Sequence, residues 1–123
     1  MLWFVSNKYD SMKERTKNFA VEVIRFSSTL GRQEISRIIR NQLLRSATSV
    51  AANYRAACKA QSKAAFIAKL AIVEEEADET LFWLEMLEET GLCANAKFYE
   101  LKYEANQITA IITASRKTAK RNK

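Results

Sequence analysis

Between residues 74 and 79 the chain reads EEEADE, and Glu75 and Glu79, four positions apart, share one face of a helix. Paired carboxylates of that kind contribute half of a bundle-type metal site. The other ligands are not supplied. The sequence contains no His, which removes imidazole ligation, the commonest general base and the His-assisted nucleophiles. Cys58 and Cys93 are far apart and lack metal-ligand spacing, so they read as buried reduced thiols. No glycine-rich phosphate loop or serine-centred elbow is present. We therefore expect no enzyme, no catalytic residue, no metal and no cofactor. The carboxylates read better as members of a polar helix contact made by Arg45, Asn53, Glu75 and Glu79. Removing one partner costs about 3–5 kcal/mol if such a contact is dry, and about 1 kcal/mol or less near water.

A second kind of chemistry is recognition of a polyanion. Arg37, Arg55 and Lys59 fall on the outward face of one helix, with Arg45 at its edge, and Arg116, Lys117, Lys120, Arg121 and Lys123 crowd the C-terminus. Side chains so placed track phosphates. They equally read as a solvated face attracted to an acidic neighbour, since residues 32–69 carry eight basic residues against Glu34 alone, and residues 70–96 carry eight acidic residues and no basic one. The formal charge of +6 rests largely on the C-terminal cluster. With no aromatic platform interleaved among these cations, any nucleic-acid binding should be electrostatic and insensitive to sequence.

These residues must be held by helices. The chain of 123 residues has no Pro and two glycines, Gly31 and Gly91, and is long enough for one core but not two. The spacing predicts helices over roughly residues 10–30, 34–57 and 63–90, with a fourth capped by Asn95 that fades into a mobile basic tail at 116–123. Gly31 and Gly91 act as stops and Ser62 as the cap of the third helix. Residues 1–8 form a short N-terminal extension with too few apolar side chains for a leader or anchor. No stretch approaches the ~20 apolar residues of a membrane span, so a cytoplasmic protein without membrane contact is expected. Short connections between long helices predict an all-α, up-down antiparallel four-helix bundle.

Each helix carries a stripe at three- and four-residue spacing. The expected core is Met12, Phe19, Val23, Phe26 and Leu30; Ile35, Ile39, Leu43, Ala47, Val50, Tyr54 and Ala57; Phe66, Leu70, Val73, Ala77, Leu84 and Leu87; and Phe98, Leu101, Ala105, Ile108 and Ile112. The tail lies beyond that last position. Two surfaces are left over. Ser49, Asn53, Ala56 and Ala60 make a line of small residues beside the second stripe, fit for close approach of a helix from this chain or another copy. Ile72, Phe82, Trp83 and Met86 cluster opposite the third stripe, an apolar excess that marks an interface. A homo-oligomer follows as an expectation.

At the second and third helices, NQLLRSATSVAANYRAA followed by SKAAFIAKLAIVEEEADETLFWLEMLEETGL resembles the family of 23S rRNA-intervening sequence proteins. The likeness is specific at Gln42, Arg45, Ser49, Ala52 and Asn53, and again at Phe66, Lys69, Glu75, Glu79, Thr80, Trp83 and Leu84. It departs at Ala65, where an acidic residue is common, weakening the expected cap. The resemblance implies a bacterial bundle assembled as a homopentamer. It also implies kinship with the accessory protein of diversity-generating retroelements, a basic pentamer that binds a reverse transcriptase and nucleic acid. It supplies no catalytic residue. The expected role is thus RNA or DNA binding, or service to a nucleic-acid enzyme; the alternative is an oligomeric scaffold for an acidic protein partner.

Overall fold

The computed structural model of the chain describes residues 7–122, with side chains from Ser11 onward. Four helices make up the described residues: α1 (Asn7–Ser27), α2 (Glu34–Cys58), α3 (Lys63–Glu89) and α4 (Ala96–Arg121). Consecutive helices pack side by side, and α4 returns to α1 in the sparsest of the four contacts. Cross-helix bonds such as Arg15–Glu104 and Lys97–Glu22 pair low numbers with high ones, so neighbours run antiparallel. The result is an up-down four-helix bundle.

The buried positions explain the shape. In α3 they are Phe66, Leu70, Val73, Ala77, Thr80, Leu84 and Leu87, and in α4 Phe98, Leu101, Ala105, Ile108, Ile112, Ser115 and Ala119. Alternating steps of four and three are a 3.5-residue repeat, which keeps a seam facing its partners when helices wind left-handedly. Three hydroxyl residues at seam positions bond the preceding turn: Thr16 donates to the Met12 carbonyl, Ser46 to that of Leu43 and Thr80 to that of Glu76. Ser46 and Thr80, both fully buried, also bond each other across α2 and α3 at 3.0 Å.

Local chemistry sets the ends. Ser62 and Asn95 accept the backbone N–H of Ala65 and Phe98 at 3.1 and 2.9 Å, so both expected caps form, Ala65 notwithstanding. Gly91 has φ +73°. Its N–H bonds the Glu88 carbonyl and that of Leu92 the Leu87 carbonyl, a pattern that closes α3 and needs the left-handed residue between. Gly31 has no such role. Helix α1 ends at Ser27, earlier than expected, because Ser28 and Thr29 turn their hydroxyls back on the carbonyls of Arg25 and Phe26. It also begins at Asn7, inside the proposed extension; residues 1–6 lie outside the described residues.

Three further expectations are corrected. Ile35 is 48% exposed and not core, for it sits in the first turn of α2, and Leu30 is only half-buried. Cys58 and Cys93 are half-buried, not buried, and are not joined in a disulfide. Helix α4 does not fade into a mobile tail: it runs to Arg121, and Ser115 and Ala119 continue its buried seam past Ile112.

Candidate nucleic-acid interface

The polar contact between α2 and α3 forms, with a different membership. One Arg45 nitrogen donates to Glu76 at 2.9 Å, and the other binds Glu79. Glu79 also accepts from the indole N–H of Trp83 at 3.1 Å. Glu75 is exposed and is not a partner of Arg45; Glu76, one step nearer α2, replaces it. Asn53 bonds the Ser49 hydroxyl and carbonyl within its own helix, four residues back, and does not join the carboxylates. The line of small residues, Ser49, Asn53, Ala56 and Ala60, is half-buried throughout and forms the outer flank of the run; on the inner flank Ser46 and the core residue Ala47 are buried in the bundle, where Ser46 bonds Thr80 of α3. Trp83 lies half-buried against the core, and Phe82, edge-on to it at 4.9 Å, is 47% exposed.

Exposure decides what the contact is worth. The Arg45 side chain is 49% exposed and that of Glu79 35%, so the dry alternative of several kcal/mol is ruled out. Glu79→Gln should cost about 1 kcal/mol or less at neutral pH. The hydrogen bond from Arg45, helped by that from Trp83, holds the Glu79 carboxyl below the usual range. A carboxylate depressed on folding stabilises above its unfolded value, near pH ~4.3, and loses that stabilisation as pH falls through the folded value. The difference in melting temperature between wild type and Glu79→Gln should therefore shrink from pH 7 to about pH 3.5. An equal difference at both would mean that the charge is not its source.

The basic residues sort by position along the bundle. Arg55 and Lys59 close α2, Lys63 and Lys69 open α3, and Lys117, Lys120 and Arg121 close α4, all at the same end. Lys13 and Lys17 of α1 flank Arg55 on a shared groove. No acidic residue occurs in residues 55–73 or 115–122. Lys13, Lys17, Lys63 and Lys69 were missed because each reads as scattered until the topology gathers four helix ends. Arg37 does not belong with them. It shares the outward face of Arg55 but lies 18 residues away, about 27 Å along the axis, and pairs with Glu34 at 2.6 Å. Arg116 is also committed elsewhere: with Thr113 it binds Glu74 at 2.8 and 2.5 Å, an α3–α4 clamp. Those bonds, first that of Thr113, keep the Glu74 carboxyl below its usual range. Lys123 lies outside the described residues. Among the described residues no group of three or more acidic or Cys side chains could hold a metal ion, and no helix is long and apolar enough to cross a membrane.

Residues 10–114 match the family model of the 23S rRNA-intervening sequence protein. The chain belongs to that family. The fold agrees with it. A solved structure from the S23 ribosomal protein family of Bacteroides thetaiotaomicron, of unknown function, superposes with a TM-score of 0.82 at 33% identity. The match covers 89% of this chain and 98% of that one. Among curated proteins none matches the sequence. The resemblance, most specific at helices two and three and expected over roughly residues 7–115, holds over residues 10–114.

Proposed function

We propose that this member of the family is a non-catalytic homo-oligomer, a pentamer, which binds the RNA or DNA backbone with the basic end of its bundle and serves a nucleic-acid enzyme such as a reverse transcriptase. One observation carries the binding: the ends of α2, α3 and α4 bring Lys59, Lys63, Lys69, Lys117, Lys120 and Arg121 to one end of the bundle, with Lys13, Lys17 and Arg55 of the α1–α2 groove beside them, in segments where Glu14 is the nearest acidic interruption. A surface of one sign attracts a polyanion and gains from each counterion released. Repetition of that end in every subunit multiplies a modest affinity. The cations project from rigid helices, and α4 presents its own to the last turn.

A salt titration of binding to mixed-sequence RNA and duplex DNA tests this. Deleting residues 116–123 is the wrong variant, since it would also remove the Arg116–Glu74 clamp and the buried Ala119. Replacing the exposed Lys117, Lys120 and Arg121 together by Ala leaves the seam intact. It should lower the slope of log affinity against log salt on duplex by roughly 2–3, at about 0.9 per phosphate contact. Lys59→Ala with Lys63→Ala, which leaves the α1–α2 groove untouched, should act likewise, and Arg37→Ala should have no effect. Absence of binding at about 50 mM salt would leave the basic end as solvated surface and favour an acidic protein as the partner.

A further inference from the structure

Helices α1 and α2 enclose an open groove of about 470 Å³. Its floor is apolar or small, with Ala20, Val21, Ile24, Ala51 and Ala52, and its rim carries Lys13, Lys17 and Arg55 against Glu14. Val21 and Ile24 are 36% and 49% exposed, so the chain leaves this apolar floor open. An opposite surface exists in the same molecule. The outer face of α3 presents Ile72 and Phe82, 39% and 47% exposed, with exposed Glu75 between them. No chain can fill its own groove, because α3 occupies the corner diagonal to α1.

We propose that the groove receives the outer face of α3 from a second copy, giving a head-to-tail contact that repeats around a ring. This rests on the oligomer proposed above and adds to it the two faces that meet. Charge, length and height all fit. A basic rim meets the acidic helix. From Lys13 to Ile24 the groove runs 11 residue steps along α1, about 16 Å, and from Ile72 to Phe82 the ridge runs 10 steps along α3, about 15 Å. Phe19, Ala77 and Thr80 line one small internal gap and therefore lie level. Val21 and Ile24 then stand at the height of Phe82, and Lys17 near that of Glu75. Helices α1 and α3 point the same way. Rotation about an axis parallel to the bundle preserves height and direction, so it brings Phe82 to the apolar floor and Glu75 to the basic rim. Phe82 and Glu75 are seven residues apart, as are Ile24 and Lys17. Two different patches that meet in this manner close into a ring when the rotation allows, and an aromatic in a small-residue pocket ringed by cations is an effective anchor.

Light scattering at micromolar concentration reads the outcome, with circular dichroism to verify folding. Ile24→Glu puts a negative charge in the groove, and Phe82→Lys a positive one on the ridge. Each alone should weaken association at least hundredfold, to a species near 14.1 kDa. An equimolar mixture should pair into a heterodimer, because the intact ridge of the Ile24→Glu chain meets the intact groove of the Phe82→Lys chain, while a ring with an odd number of subunits cannot close from two alternating chains. Val21→Glu and Ile72→Lys form a second such pair should a first variant misfold. A wild type that is monomeric overturns the oligomer itself. An oligomeric wild type whose assembly survives Ile24→Glu, or a mixture that stays monomeric, overturns the assignment of faces alone; loss through Phe82→Lys only would indicate α3 packed on α3.

Discussion

Phe98→Ala is expected to lower the free energy of unfolding by about 3–5 kcal/mol, the usual cost of truncating a buried phenylalanine. The side chain is fully buried, in the first turn of α4. Its ring faces Phe26 of α1 at 6.4 Å, tilted by 45°. That contact ties α4 to α1 where the bundle closes on itself, across the sparsest of its four side-by-side contacts. Collapse of the neighbours is limited because the Asn95 cap fixes the backbone of Phe98. The melting temperature should fall by roughly 10–20 °C for a chain of this size, measured at one fixed protein concentration because assembly adds to apparent stability. Tyr99→Ala is the control. It stands edge-on to the same ring at 5.1 Å but is 47% exposed and bonds Glu88 at the surface, so its loss should leave the melting temperature close to that of wild type. A Phe98→Ala protein as stable as the control would mean that α1 and α4 are not closed in this way.

Adding volume should hurt at one small residue and not at another five positions along. Ala47 is fully buried in α2, beside the hydroxyl pair of Ser46 and Thr80. Ala47→Leu forces extra carbons into a seam whose neighbours, Leu43 and Val50, are themselves buried, at a cost of about 1–3 kcal/mol or more. Ala52→Leu makes the same change on the exposed face, where helix propensities of the two residues are close. In dilute protein its unfolding should stay within about 0.5 kcal/mol of wild type. Since Ala52 lines the α1–α2 groove, its effect belongs to association. Equal costs at the two sites, from denaturation curves, would contradict the division of this small-residue run into an inner and an outer flank.

What the sequence determined by itself is local and periodic. Ser62 and Asn95 cap because a short oxygen side chain before a helix reaches the N–H three residues on, and Gly91 stops α3 because only its backbone accepts the left-handed turn at low cost. The stripes from Phe19 to Ile112 are legible because burial on one side of a helix imposes its own period, and the family likeness rests on the same residues. The 3.5-residue seam also runs through Ser115 and Ala119, where a hydroxyl or methyl group carries too little hydrophobic signal to mark the stripe. Partners were decided elsewhere. A helical wheel places Glu75 and Glu79 together, but Arg45 arrives from the flank and takes Glu76. Composition groups Arg37 with Arg55 and assigns Arg116 to a tail, whereas Glu34 pairs with one cation and Glu74 of a neighbouring helix holds the other. Periodicity specifies which face of a helix is buried. It contains neither the height at which two antiparallel helices meet nor which ends share one side of the bundle, because those follow from packing between residues dozens of positions apart.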